Sequence, residues 1–575
     1  MNNFPQNILR RIKEISRGFV AASRREFARF SPRRDSLPVL ALVVLSIVAI
    51  ILTRESIPHV LFREDLELVS ATRFILLALS VVWFALFFAL SRKIPLWGRG
   101  LLFFVFFLPS AFSAYLKINY GMELNYGFIM ECYNTHVELV SSYFSPVAIF
   151  TFLVFVAAMF GVAFVVGKIP VQLPSSRAFV VGLIVVLAFS ANQANLRTWI
   201  APVKIALSVE KWARHYRTTD RRAFELLAEL EDLPQEVTPM PAEISHVNSV
   251  PIVVLHIGES SRADHAPFNG YARDTMPHMF REYKAGNLIS FPKCVSFSVD
   301  TVLSTRGVMS PSTVLDNAFR YPTFIPALDR SGVATCGFFS SYEINTGGKV
   351  GISLICKALQ QRISTGEFAA TLLPKVKETI AAQSKNPQQK QFYFYYGEGS
   401  HTPRTAYDFD RHSVFTPTAK YICKDERTVN NYDNTFIAVD EFCGGFIDEL
   451  RDKNAVYIFV GDHGDGLGEE GLWGRIYRRK ESRHVLFFIW ASDKFKSENP
   501  ELWATLAKNR ERLGVVSHDY VYNSVLHLFG IKTPYYDKRA DLFSDDAVPF
   551  PTEMPDAEDF GPIRYGDSGE TAEVR

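Results

Sequence analysis

The sequence has few cysteines, almost no net charge and, past residue 196, no long apolar run. Six cysteines stand among 575 residues and no two share a C-x-x-C spacing, which excludes a zinc–thiolate site. The 62 basic and 60 acidic side chains leave a net charge of only +2. A dedicated nucleic-acid binder needs a clear basic excess to meet phosphate, so no nucleic-acid partner is expected. Neither an internal repeat nor a low-complexity tract is visible. A cleavable signal peptide is not expected either, because residues 1–36, rich in arginine, precede the first apolar run.

The length allows two to four domains at about 150 residues each. The 48% hydrophobic content averages two unlike halves. Five apolar runs, near 37–53, 73–90, 100–117, 146–167 and 178–195, are each close to the roughly 20 residues that cross a hydrocarbon core. Five such runs in succession are hard to bury in water, so a five-helix membrane region is expected over 37–195. Pro146 to Val166 carries no charge, and the third run contains Pro109, which a membrane helix tolerates when neighbours satisfy the freed backbone groups. Flanking charges set the orientation. Arg10, Arg11, Lys13, Arg17, Arg24, Arg25, Arg29, Arg33 and Arg34 precede the first run; Arg92, Lys93, Arg99, Lys168 and Arg177 lie in the second and fourth loops. Glu64, Asp65, Glu67, Glu123, Glu131 and Glu138 lie in the intervening loops. The N-terminus is therefore expected inside, and an odd number of spans leaves everything past about residue 196 outside the cytoplasm. Exported domains can form disulfides. Cys336 with Cys356 and Cys423 with Cys443 are local pairs by separation only; Cys132 lies in the third loop and Cys294 has no obvious mate, and connectivity cannot be read from sequence.

A connector spans 196–248, and from Val250 the pattern changes. Val250–Ile257, Gln391–Tyr396, Ala455–Val460 and His484–Trp490 read as short buried strands, with helical patterns at 427–450 and 518–529 between and after them. Such alternation predicts an α/β domain with a mostly parallel sheet, whose ligands bind beyond the carboxyl ends of the strands. Glu259 stands after the first strand; Asp462 and His463 follow a later one in VGDHGDG. Two carboxylates and an imidazole at neighbouring strand ends suit a zinc-like metal, although a strand-end carboxylate also serves as a helix cap. A nucleophile for group transfer has candidates in Ser298, Thr301, Ser304, Thr305 and Ser310; Thr301 opens a predicted helix behind Asp300. A metal ion would ease ionisation of such a hydroxyl, but the residues alone leave the choice open, and Thr301 or Ser298 can equally cap that helix.

The stretches GESSRADHAPFNGYARDTMP, SVDTVLSTRGVMS, GEGSHTPRTAY, NNYDNTFIAVDEF, GDHGDGLGEEG and SRHVLFFIW together resemble the bacterial phosphoethanolamine transferases that modify lipopolysaccharide, including the polymyxin-resistance enzymes. The resemblance implies a multi-domain chain, with a five-helix transmembrane region and an α/β sulfatase-like periplasmic domain of the alkaline phosphatase superfamily. It divides the chain into a basic cytoplasmic arm at 1–36, the membrane region at 37–195, the connector at 196–248, the catalytic domain at 249–545 and an acidic tail at 546–575. It implies Glu259, Asp462 and His463 as zinc ligands and Thr301 as the nucleophile that also touches zinc. His401 is implied near the substrate phosphate and a second zinc, with His484 as a further family position. Glu131, Thr135, His136 and Glu138 fall in the loop that would face lipid. Two departures stand out. GLWGRIYRRK, after D-H-G, lacks a histidine that many members carry, which puts the second zinc in question unless His484 serves it. The cysteines that bracket the nucleophile in polymyxin-resistance members are reduced to Cys294.

The implied reaction moves phosphoethanolamine from phosphatidylethanolamine to lipopolysaccharide, at lipid A or core, through a phosphothreonine, at the bilayer of the bacterial inner membrane. The nearest alternative is a phosphoglycerol transferase or sulfatase-like phosphoesterase of the same fold acting on another envelope glycan or lipid. A sulfatase would need proline within its nucleophile motif, and Ser304-Thr305-Arg306 has none. A non-enzymatic membrane protein with a degenerate domain is the remaining alternative, disfavoured by the joint presence of Glu259, Thr301, Asp462 and His463.

Overall fold

The structure is a computed structural model. It describes short pieces between 38 and 46 and between 84 and 95, then 96–120, 146–170 and 236–240, most of 252–551, and 564–565. Breaks fall within 316–321, 341–357, 366–368, 402–408, 420–424 and 475–479, with single-residue gaps elsewhere. The basic arm, the fifth apolar run, most of the first two runs and of the connector, and Glu131, Thr135, His136 and Glu138 lie outside the described residues, as do Cys132, Cys356 and Cys423. The chain divides into two compact units, one mainly of residues up to Arg214 and one mainly of residues from His215 onward.

In the first unit, helices α1 (Leu96–Tyr120) and α2 (Pro146–Lys168) coincide with the third and fourth apolar runs. Pro146 opens α2, where its missing N–H costs nothing, and Lys168 sits in the last turn, opposite the negative end of the helix dipole. Ala163, Val166 and Met159 of α2 pack with Phe103 and Phe107 of α1 and with Phe84 and Phe88. A Cβ at Gly100 would stand 2.5 Å from the Phe160 ring, so glycine permits the two helices' close approach. Phe150, Leu153, Val154, Phe164 and Val165 face outward. Among the described residues one helix, Ala148–Lys168, is long and apolar enough to cross a membrane, and the apolar part of α1, Leu96–Leu108, is shorter.

The second unit is built on a seven-stranded sheet. Its elements, with those that carry the site, run β1 (Ile252–Gly258), α3 (Pro277–Lys284), β2 (Leu288–Ser290), β3 (Cys294–Val295), α4 (Thr301–Met309), β4 (Ala334–Ser340) and β5 (Gln361–Thr365). They continue with α5 (Ala369–Gln383), β6 (Gln391–Gly397), α6 (Glu426–Asp448), β7 (Ala455–Gly461), β8 (His484–Val485), β9 (Phe487–Ala491), β10 (Val516–Ser517) and α7 (Asp519–Leu528). Strand order is β2-β9-β7-β1-β6-β4-β5. β7, β1, β6, β4 and β5 are mutually parallel, and β9 is antiparallel to both its neighbours.

Side chains alternate across the sheet and both faces are apolar, which is why these strands read as unbroken hydrophobic runs. Val253, Leu255, Ile257, Val456, Ile458 and Val460 join one core with Tyr522, Val525 and Leu526 of α7. Val254, Tyr393, Tyr457 and Phe459 join the other with Met279 of α3, Leu372 and Val376 of α5, and Phe442 and Phe446 of α6. The result is a three-layer α/β/α domain.

The expected strand His484–Trp490 is in fact two. It breaks at Leu486: His484 and Val485 pair with β3 in a small sheet of order β8-β3-β10, while Phe487–Ala491 joins the main sheet. The apolar run hides the break because residues on both sides of it are buried. Cys336 and Cys443 are buried free thiols, as is Cys294, so neither of the expected disulfide pairs forms. Cys336 lies inside β4, and the Cys443 sulfur lies 3.5 Å from His256 Nδ1 between α6 and the sheet; sequence separation says nothing about such packing directions.

Candidate metal and phosphoryl-transfer site

Three central strands end on glycine in one register: Gly258 lies beside Gly461 on one side and Gly397 on the other. A Cβ at Gly461 would come within 2.5 Å of the Ser261 carbonyl oxygen, so the two loops cross closely enough to bring their next residues together. Those residues are Glu259 and Asp462 with His463. Their ligand atoms all lie within 4.8 Å of one another, and all three side chains are buried. They are the one such group of three among the described residues.

Each side chain of the group is held by hydrogen bonds. Asp462 Oδ1 accepts the backbone N–H of Ser260 at 2.8 Å and of His463 at 2.7 Å. Asp462 Oδ2 has no hydrogen-bond partner among the described residues and faces His463 Nε2 at 3.6 Å. Glu259 Oε1 accepts the Ser260 hydroxyl at 2.6 Å, and Oε2 accepts the Tyr396 hydroxyl. His463 Nδ1 donates to its neighbour's carbonyl, Gly464 O, at 2.7 Å, which leaves Nε2 facing inward with its lone pair, 3.2 Å from Glu259 Oε1. A buried lone pair opposite two carboxylates is repulsive unless a cation lies among them. Burial, and then the Glu259 charge, push the Asp462 carboxyl up to about 7. Two carboxylates, one imidazole and an unpartnered carboxylate oxygen thus fit a zinc ion.

The hydrogen bonds separate the candidate hydroxyls. Asp300 caps α4, its side chain accepting from Val302 N at 3.0 Å and Leu303 N at 3.2 Å. Thr301 is therefore not needed as a cap, and its Oγ1 lies 3.1 Å from Glu259 Oε2 and 3.2 Å from His463 Nε2. Ser304 Oγ bonds to the Ser298 backbone, Ser298 Oγ accepts from Asp300 N, and Ser310 Oγ pairs with Ser312. Thr305 Oγ1 is buried with no hydrogen-bond partner among the described residues.

His401 is brought to the same end of the sheet but not into the group. It lies four residues past the end of β6, in a turn closed by Arg404 N donating to the His401 carbonyl at 2.9 Å. His484 is held elsewhere: its Nε2 donates to the Pro292 carbonyl at 2.7 Å, and burial lowers its basicity. Three contributors were not singled out from sequence. Ser260 directly follows Glu259, and its backbone adopts the left-handed region with φ of 53°. Tyr396 sits opposite Ile257 in the strand ladder, a position readable only once the register is known. His518 accepts Phe297 N at 3.0 Å on Nδ1 and donates from Nε2 to Gly461 O at 2.9 Å, so it ties the segment leading to Thr301 to the end of β7.

The chain resembles several known proteins. The sulfatase family model matches residues 251–531. Phosphatidylethanolamine transferase Mcr-1 of Escherichia coli is 25% identical over 385 residues, covering 61% of this chain and 66% of that protein. Phosphoethanolamine transferase EptA of Helicobacter pylori is 26% identical over 486 residues, covering 80% of this chain and 87% of that protein. The integral membrane protein lipooligosaccharide phosphoethanolamine transferase A of Neisseria meningitidis shares the fold, with a TM-score of 0.58 and 18% identity over 88% of this chain and 98% of that one. The chain thus carries a domain that matches the sulfatase family model, with a threonine, two carboxylates and a histidine gathered at its strand ends, and along its length it is similar to the phosphoethanolamine transferases.

Proposed function

We propose that this protein is a zinc-dependent enzyme that transfers phosphoethanolamine from phosphatidylethanolamine to lipopolysaccharide, at lipid A or core, with Thr301 as the covalent carrier. The observation that carries the reading is the position of Thr301 Oγ1 between Glu259 Oε2 and His463 Nε2, at 3.1 and 3.2 Å. Glu259, Asp462 and His463 would hold the ion, which when bound lowers the pKa of a nearby hydroxyl and neutralises phosphoryl charge. Thr301 gives its proton to Glu259 Oε2 and forms a bond to phosphorus. The bond from phosphorus to the diacylglycerol oxygen breaks, and that oxygen takes the proton back from Glu259 as it leaves. An acceptor hydroxyl on lipopolysaccharide then bonds to phosphorus, the bond from phosphorus to Thr301 Oγ1 breaks, and the acceptor's proton passes to Thr301. His401 binds a phosphoryl oxygen or moves a proton; His484, with Nε2 engaged by Pro292, is the weaker candidate for the same work. Glu131, Thr135 and Glu138 are proposed to meet the lipid substrates.

The membrane setting belongs to the same proposal. Five spans, N-terminus inside, would place the catalytic domain in the periplasm and tie it to the bacterial inner membrane, where both lipids reside. The proposed zinc site is the group formed by Glu259, Asp462 and His463. The test is mass spectrometry of lipid A and core from cells with and without the protein, together with head-group-labelled lipid donors. Phosphoethanolamine appearing on lipopolysaccharide only in cells that carry the protein is expected. Release of labelled phosphoglycerol instead would replace this reading with the phosphoglycerol transferase one.

A further inference from the structure

Two loops carry the metal-type group, and both lean on one residue of a helix that supplies no ligand. Tyr432 lies in α6 and is fully buried. Its hydroxyl donates to Ser260 O at 2.6 Å and accepts from Arg262 N at 2.9 Å. These two bonds span Ser261 and hold the carbonyl side of Ser260, whose φ of 53° is a conformation that strains an L-residue. The same residue sends its N–H to Asp462 Oδ1 and its hydroxyl to Glu259 Oε1, at 2.8 and 2.6 Å. The Ser260 turn therefore aims two of the three ligands, and its geometry is one the chain would not adopt unaided.

Tyr432 also reaches the second loop through its ring face. The Arg404 guanidinium lies 4.9 Å from the ring centroid and ion-pairs with buried Asp465, three residues past Asp462. His265 packs edge-on against the same ring at 4.9 Å.

We infer that Tyr432 is a positioning residue for the metal centre: its phenol staples the strained Ser260 turn, its ring seats Arg404 on the D-H-G loop, and so α6 sets the mutual placement of Glu259 and Asp462. This rests on the reading that Glu259, Asp462 and His463 hold zinc. It accounts for a tyrosine within NNYDNTF that touches neither the ligand atoms nor Thr301.

The experiment is zinc affinity of the full-length protein in detergent, by competition with a chromophoric chelator, with melting temperature measured on the metal-free form. Tyr432→Phe keeps the ring and removes the staple; zinc affinity is expected to fall about tenfold or more, the size of loss produced by removing groups that orient ligands. Tyr393→Phe, which deletes a buried hydroxyl bonded to Gln391 at the opposite end of β6, should lower the melting temperature and leave zinc affinity unchanged. In a Ser260→Gly background the turn is free of strain, so there Tyr432→Phe should cost less than threefold. Tyr432→Phe with a lower melting temperature and unchanged zinc affinity would overturn the inference, as would an equal loss in both backgrounds. If Tyr432→Phe folds only with Ser260→Gly, the staple is upheld; if the double variant also fails to fold, Tyr432 is a core residue only and the inference falls. Wild-type protein that binds no zinc removes the metal reading and this inference with it, whereas wild-type binding with an unaffected Tyr432→Phe removes this inference alone.

Discussion

At the scale of single residues, the site is a set of short bonds with separable roles. Thr301→Ala removes the proposed carrier without touching a structural cap, because Asp300 already accepts from Val302 N and Leu303 N. Transfer should fall by roughly four orders of magnitude or more, the scale of losing a nucleophile, while melting temperature changes little. Transfer assays on purified protein check the first expectation and calorimetry the second; persistent transfer would redirect attention to Ser304 or Thr305. Glu259→Ala and Asp462→Ala should each strip zinc, as read by elemental analysis after gel filtration. Unchanged metal content in both would remove the metal site. Glu259 and Asp462 were legible in the sequence because each directly follows a strand that reads as apolar and ends in glycine.

At the scale of elements, the glycines after β7 and the cap of α4 decide whether those side chains meet. A Cβ at Gly464 would stand 1.9 Å from the Glu481 carbonyl oxygen, a backbone atom with little room to move. Gly464→Ala should therefore destabilise by about 3 kcal/mol, the upper end for overpacking, and weaken zinc binding as His463 is displaced; chemical denaturation and chelator competition measure the two. Loss of the Asp300 cap in Asp300→Ala should cost about 1 kcal/mol of stability and also lower transfer, since Thr301 is the first residue of that helix. The helix itself was predicted from Asp300 and Thr301. The split of the run His484–Trp490 into β8 and β9 was not, because an apolar pattern records burial and not which sheet receives the strand.

At the scale of the whole molecule, stability should couple to both metal and pH. Zinc held only by the folded chain stabilises it by about 2.7 kcal/mol at a hundredfold excess over Kd, so chelation should lower the melting temperature reversibly. His256 and His518 are buried, and desolvation lowers both to about 3. Between the ordinary value near 6.5 and about 3, the unfolded chain binds more protons than the folded one at these two positions. Their contribution to stability is thus full at neutral pH and is lost as pH falls through that window. Urea denaturation of the metal-free protein at pH 7, 5.5 and 4 should show a declining midpoint, with a shallower decline in His256→Gln. An unchanged slope in that variant would show that His256 is not held neutral.

The sequence by itself determined the α/β class, the strand ends on which chemistry sits and the division between an apolar N-terminal half and a catalytic half. Period, run length and the glycines that end strands are local properties, and a local reading recovers them. Only the tertiary structure shows what each candidate hydroxyl faces: Thr301 Oγ1 lies against Glu259 and His463, while the Ser298, Ser304 and Ser310 hydroxyls bond elsewhere. It also shows that Cys336 and Cys443 are buried free thiols and that Tyr396 and Tyr432 donate to Glu259 and to the Ser260 carbonyl. Those outcomes depend on strand register and on the side from which a helix packs, and both are set by contacts between residues more than a hundred positions apart in the chain.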